Sequence, residues 1–129
     1  MNGQALDHRP GIEGMRNALV VDASTGHVLT TLRIAGADDA AIVAAAATDM
    51  VHVISLMTAH LAADDDFEEL IITLSGHHHM VRPLAAPERE CLFLLVTFDR
   101  EQVNLALARH HLQALEAQVV AQIASQGVA

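Results

Sequence analysis

The pattern of apolar and polar positions near the start of the chain predicts a β-hairpin. Residues 15–21 (MRNALVV) are mostly apolar, and residues 27–34 (HVLTTLRI) alternate over a similar length. The segment between them, DASTG at 22–26, is rich in the residues that favour turns. We therefore expect two antiparallel strands joined by a tight connection.

Three more strands are predicted in the second half of the chain. Residues 70–74 are rich in apolar and β-branched side chains, Ser75-Gly76 supplies a turn, and residues 80–84 return as the next strand. Residues 91–98 are apolar at nearly every position. Such a strand is typical of the centre of a sheet that is covered on both faces.

Between these two groups of strands lies a predicted helix with a wide apolar surface. Asp38 or Asp39 is placed to cap its N-terminus, and we expect the helix to continue to about Ala62. One apolar stripe repeats at spacings of three and four: Val43, Ala46, Met50, Val53 and Met57. A second stripe lies beside it: Ala47, Val51, Ile54 and Leu61. Together they exceed the width needed to pack on one sheet, so the helix is expected to pack on two partners at once.

The last predicted helix begins at Asp99, with Gln102 completing a capping box. Its apolar stripe consists of Leu105, Ala108, Leu112, Leu115, Val119 and Ile123. The resulting order, (α)ββαβββα, predicts an α+β fold in which helices flank a five-stranded antiparallel sheet. We expect a single domain over residues 1–129, with residues 1–11 poorly ordered or a short helix.

Composition indicates that part of the surface is covered by another subunit. The 129-residue chain is 52% hydrophobic with a mean hydropathy of +0.32, high values for so short a chain. Because only 2% of residues are aromatic, core and interfaces must be built from aliphatic side chains.

Charge excludes several classes of function. The net charge of -9 argues against a nucleic-acid partner. All seven cations are arginine, so the chain lacks the lysine that a P-loop or a Schiff base requires. The best candidate for a membrane span, residues 40–57, contains Asp49 and His52, and we expect no membrane insertion and a cytoplasmic location.

The order of elements and the wording of two segments resemble the Roadblock/LC7 family, in its bacterial, small-GTPase-associated type. The segments are SGHHHMVRPL at 75–84 and FDREQVNLALARHHLQALE at 98–116. The likeness covers nearly the whole chain from Ile12 onward. It implies a profilin-like α+β fold and a regulator or scaffold for a separately encoded Ras-like GTPase, with no enzymatic activity and no cofactor.

The resemblance also implies a homodimer that joins its sheets through the strand after the central helix and pairs that helix across the two-fold axis. Carried over to this chain, the interface would consist of Val43, Ala46, Ala47, Met50, Val53, Ile54, Met57, Leu70, Ile72 and Leu74.

A separate patch for the partner is predicted on the same helix. Leu56 shares a face with Asp49, His52 and His60, away from both apolar stripes. In a dimer, two copies of this face would form one composite surface. We therefore predict that Asp49, His52, Leu56 and His60 bind the partner.

Other readings of the sequence are weaker. His77 and His79 share one face of a strand while His78 points the other way, so the histidine run lacks the three or four ligands of a zinc site and is expected to be a solvated hairpin. Cys91 is expected to be a buried small hydrophobe. A ligand-binding or sensory α+β module is the alternative function, and a metal-dependent enzyme that uses the histidines is the least favoured.

Overall fold

The computed structural model describes residues 12–61, 64–87 and 89–127. The predictions for residues 1–11 and for Ala62 fall outside these ranges. The elements in chain order are β1 (Met15–Asp22), β2 (His27–Arg33), α1 (Ala40–Ala59), β3 (Leu70–Thr73), β4 (His77–Pro83), β5 (Leu92–Asp99) and α2 (Leu105–Gly127).

The five strands form one antiparallel sheet in the order β2-β1-β5-β4-β3. The last strand in sequence thus lies at the centre, and residues 92–98 are all buried, as the unbroken apolar run predicted. The two edges are β2 and β3. The predicted fold class is therefore confirmed.

Within the described residues, each face of the sheet carries one helix and its own apolar cluster. On one face, α1 covers a cluster that includes Leu19, Phe93 and Leu95. On the other face, α2 covers a cluster that includes Leu94 and Phe98. The predicted stripe of α2 supplies the helix side of this second cluster, since Ala108, Leu112, Leu115, Val119 and Ile123 are all buried there.

Two acidic residues fix the start of α1. The carboxylate of Asp39 accepts hydrogen bonds from the backbone N–H groups of Ala41 and Ile42, which makes it the N-cap. The preceding residue, Asp38, accepts bonds from Arg16 at 2.9 and 3.0 Å and from Asn17 at 2.8 Å. The hydrogen bonds from Arg16, followed by that from Asn17, lower the pKa of Asp38 to about 2.

The expectation that Cys91 is buried in a strand is wrong. Cys91 is exposed and precedes β5, with φ at +66°. The left-handed backbone at Cys91 makes it a turn residue just before the strand, and its carbonyl accepts a hydrogen bond from the N–H of Ala23 at 2.7 Å. Apolar composition alone does not distinguish this turn residue from the strand that follows it.

The predicted start of the last helix is also wrong. Asp99 is the final residue of β5, and its carbonyl accepts bonds from Gln102 and Val103 in a turn. The helix begins six residues later, where the Asn104 side chain accepts a hydrogen bond from the N–H of Leu107 at 3.0 Å. Residues that commonly cap helices therefore lie at two positions, Asp99 and Asn104. Asp99 is part of strand β5, so Asn104 is the residue that caps the helix.

Candidate functional site

Helix α1 leaves most of its apolar surface uncovered. Only Ala44, Ala47 and Thr48 are buried among its 20 residues. Its exposed large side chains include Ile42, Val53, Leu56 and Met57, with Val53 63% and Leu56 62% exposed. By length and composition the helix could cross a membrane, with a hydropathy of 1.8 over an 18-residue window, but its small residues seat it on the sheet.

The two long sides of α1 face different parts of the fold. One side adjoins the turn between β1 and β2, because His52 contacts the carbonyl of Ala23 at 2.9 Å. Met50 is two positions away and so points about 200° around the helix from His52. It packs, together with Val43 and Leu70, against the cluster beneath α1. This second side therefore packs on the same apolar cluster to which β3 contributes Leu70.

Most residues of the predicted homodimer interface lie together on this second side and the adjoining outer face. Along α1, Val43, Met50 and Ile54 are half-buried, whereas Ala46, Val53 and Met57 are exposed. Ala47 is an exception, because it is 1% exposed and packs under its own helix. Ala47 is therefore left out of the exposed surface defined below, and its contact with a second copy stays a prediction.

Strand β3 presents further apolar side chains at the sheet edge, on the same face of the sheet as α1. Its register with β4 places Leu70 opposite Val81, a residue buried under α1, so Leu70 and Ile72 face the same side as that helix. Leu74 follows at the end of the strand and is 46% exposed. We call the set Val43, Ala46, Met50, Val53, Ile54, Met57, Leu70, Ile72 and Leu74 the β3-side surface.

The two sheet edges differ in their regularity. The pairing of β3 with β4 runs through four consecutive residue pairs without a shift. By contrast, the pairing of β2 with β1 shifts register twice. Irregular pairing twists an edge and discourages another strand from adding to it. The β3 edge is therefore the one suited to accept a further strand.

The predicted partner patch lies on the outer face of α1, toward the β1–β2 turn. Asp49, His52, Leu56 and His60 are all exposed. His52 is tied to Ala23 as described, and Nδ1 of His60 contacts the carbonyl of Leu56 at 2.9 Å. The patch is thus a rim of polar side chains around one exposed leucine, next to the β3-side surface.

The histidine run is not the solvated hairpin that the sequence predicted. It forms the first three residues of β4, and His78 is buried on the α2 side with its Nδ1 2.9 Å from Oγ1 of Thr73. His79 faces the α1 side, where its Nδ1 lies 2.9 Å from Oγ1 of Thr97. Burial, and then the nearby His77, lower the pKa of His79.

No metal site is formed in the described ranges. Across residues 12–61, 64–87 and 89–127, no three histidine, cysteine, aspartate or glutamate side chains are grouped so that they could hold an ion. A shallow depression of about 480 Å³ lies between the end of β4 and α2. It is lined mainly by alanine, proline, leucine and valine, with Glu116 as its charged member.

A cluster of four charged residues, which the sequence did not reveal, joins β3 and β4 to α2. Arg82 on β4 donates hydrogen bonds to Glu69 and to Glu116. Arg109 on α2 donates to both carboxylate oxygens of Glu69, at 2.8 to 3.2 Å. Burial alone would raise the pKa of Glu69, but the hydrogen bonds and charges of the two arginines hold it below its ordinary value.

Comparisons with known proteins bear on the fold. No family model matches the chain, and no curated protein matches it. Among solved structures, Myxococcus xanthus MglB is 16% identical with a TM-score of 0.71, covering 86% of this chain and 85% of that one. A Roadblock/LC7 domain from Streptomyces avermitilis is 17% identical with a TM-score of 0.69, covering 98% and 94%.

A further structure shows MglB with a tetrameric arrangement. It is 21% identical to this chain with a TM-score of 0.66, and the match covers 88% of this chain and 80% of that one. These likenesses agree with the α+β fold described above. The chain has the Roadblock/LC7-like fold.

Proposed function

We propose that the protein is a non-enzymatic homodimeric adaptor that binds a separately encoded small Ras-like GTPase in the cytoplasm. The observation that carries the proposal is the exposed apolar surface of α1, which lies on the same face of the sheet as the apolar residues of a regular edge strand. A lone helix on a sheet would expose polar side chains on its outer face. Here that face carries Ile42, Val53, Leu56 and Met57.

Self-association uses the β3-side surface. Addition of a second β3 strand would satisfy the free backbone groups of this edge, and the two α1 helices would then cover one another's apolar side chains. The exposed Ala46 permits a close approach of the two helix backbones. The two register shifts in β2 discourage pairing at the opposite edge, so edge pairing would stop at two copies.

Partner binding uses Asp49, His52, Leu56 and His60. This patch is exposed and lies beside the β3-side surface, so that two copies would present one composite surface across the dimer. An apolar centre with a polar rim is the usual anatomy of a protein-binding site. The partner class, a small GTPase, comes from the family resemblance, to which the structural likeness to MglB lends support.

Three variants, each placing glutamate at an exposed apolar position, test the two parts of this proposal. Met57→Glu introduces charge into the β3-side surface, Leu56→Glu into the partner patch, and Leu107→Glu into α2 on the far face of the sheet. Light scattering on a sizing column measures self-association. A pull-down from the source cell's lysate, with GDP or a non-hydrolysable GTP analogue and identification by mass spectrometry, measures partner binding.

We expect Met57→Glu to be monomeric and to lose the GTPase, since the composite surface needs two copies. Leu56→Glu should remain dimeric and lose the GTPase, whereas Leu107→Glu should retain both. A monomeric wild type at tens of micromolar would contradict the homodimer. A dimeric wild type that enriches no GTPase in either nucleotide condition would contradict the partner class and favour a structural or ligand-binding module.

A further inference from the structure

We propose that Glu69, Arg82, Arg109 and Glu116 form a charged clamp that positions the β3 edge for pairing with a second copy. The inference rests on the proposed self-association through β3. It assigns these four residues, which lie on the opposite face of the sheet from α1, a positioning role in that association.

The need for such a clamp follows from the size and place of β3. The strand has four residues and lies at the edge, and among the described residues β4 is the only strand that pairs with it. Isolated short hairpins are marginally stable in water. An edge that must offer straight, unpaired backbone groups to another strand therefore needs an anchor outside the ladder itself.

The clamp supplies this anchor at the first residue before the strand. Leu70 is opposite Val81 in the ladder, so Glu69 is placed opposite Arg82 if the register continues by one residue. Arg82 also bonds Glu116, and Arg109 holds both oxygens of Glu69. The side chains of Glu69, Arg82 and Glu116 are only 15–19% exposed, so their interactions are weakly screened by solvent.

Alternating side chains explain how a clamp on one face can act on a surface that lies partly on the other. Glu69 points toward α2, whereas Leu70 and Ile72 point toward α1. Fixing Glu69 to α2 thus fixes the height and rotation of the backbone that presents Leu70 and Ile72. Loss of the clamp would leave Leu70 and Ile72 in the sequence, but β3 could then shift relative to β4 and α2.

The test compares Glu69→Gln, which removes the charge and keeps the shape, with Arg89→Gln as a control. Arg89, in the connection between β4 and β5, forms an ion pair with Asp22 at 3.2 Å, and this pair includes none of the four clamp residues. Analytical ultracentrifugation gives the dimer dissociation constant. We expect Glu69→Gln to raise this constant at least tenfold, Arg89→Gln to change it by less than twofold, and Glu69→Asp to recover part of the loss.

Hydrogen exchange, measured at a concentration where monomer predominates, separates positioning from general destabilisation. In Glu69→Gln the amides of β3 and of the facing β4 residues should exchange at least tenfold faster, with those of Leu94 and Val96 unchanged. Equal acceleration in all strands would overturn the positioning role. If Glu69→Gln does not fold, Arg109→Gln, which removes one arm of the clamp, is expected to give the same selective pattern at smaller amplitude.

Failure of this inference can be told apart from failure of the proposed function. A monomeric wild type would overturn both. A dimeric wild type whose Glu69→Gln and Arg109→Gln variants dimerise with unchanged affinity would overturn the clamp alone.

Discussion

At the scale of single residues, Gly14 shows how one backbone position can constrain the fold. Its φ is +84°, and a Cβ built there would lie 2.9 Å from the backbone nitrogen of Val103 and 3.1 Å from its Cα. Its carbonyl also accepts a hydrogen bond from the N–H of Asp99 at 2.7 Å. Gly14 thus lets the start of β1 lie against the connection from β5 to α2.

We expect Gly14→Ala to lower the free energy of unfolding by about 1–3 kcal/mol, because the added methyl group meets backbone atoms at a left-handed position. Urea denaturation of the purified variant measures this change. Gly76→Ala is the matched control, since a Cβ there has no atom within 4 Å and its φ lies outside the left-handed range. It should shift the free energy of unfolding by no more than about 0.5 kcal/mol. Equal effects at the two glycines would contradict the close-contact argument.

Residue-scale contacts between distant segments are what the sequence could not provide. In the sequence, nothing distinguishes Glu69, Arg82 and Glu116 from other charged residues. Only the fold joins the three to one another and to Arg109. His78 was expected in solvent because the run is polar, yet alternation within β4 turns it inward toward Thr73. Both outcomes depend on which strands become neighbours, and local pattern does not determine that.

At the scale of elements, the periodicity of apolar residues correctly predicted which helices and strands exist, but it predicted the residues at which they begin and end less well. The five strands and two long helices were predicted. The predicted stripe of α2 packs on the sheet, with five of its six residues buried and Leu105 half-buried. The errors lie where two elements compete for the same residues. Asp99 could cap a helix, but its backbone pairs with His77 of β4, so the sheet retains it and the helix starts later.

The capping of α2 provides a test of this competition. Asn104→Ala removes the side-chain acceptor for the N–H of Leu107 and should lower the free energy of unfolding by about 1 kcal/mol. Gln102→Ala changes an exposed turn residue that the sequence had suggested for the capping box, and should alter the free energy by no more than about 0.5 kcal/mol. Thermal unfolding monitored by circular dichroism compares the two. A larger loss of unfolding free energy for Gln102→Ala than for Asn104→Ala would mean that Asp99 and Gln102 form the cap.

At the scale of the whole molecule, the sequence predicted that the central helix would be too apolar for one sheet, and the structure shows why. Three small residues are the buried part of α1, with half-buried residues beside them, and four larger apolar side chains are left outside: Ile42, Val53, Leu56 and Met57. The helical spacing of the residues also predicted that α1 has two different sides. The sequence did not predict that Ala47 is buried beneath α1. Helical spacing places residues on a stripe but does not tell which members of the stripe face the sheet.

This excess of exposed apolar surface leads to a prediction about the stability of the whole molecule. If two copies cover one another through the β3-side surface, unfolding also separates them, and the dimer should resist urea better as the protein concentration rises. For a dimer that unfolds directly to two chains, each tenfold increase in concentration adds about 1.4 kcal/mol per dimer to the apparent free energy. Urea midpoints are recorded at protein concentrations from about 1 to about 100 μM, because mass action is measurable over about two decades. The wild-type midpoint should rise steadily across this range. The Met57→Glu variant should unfold at a midpoint independent of concentration, because its folded state is already a single chain. A wild-type midpoint that stays constant across this range would mean that the folded chain carries its apolar helix uncovered, and the homodimer would have to be abandoned.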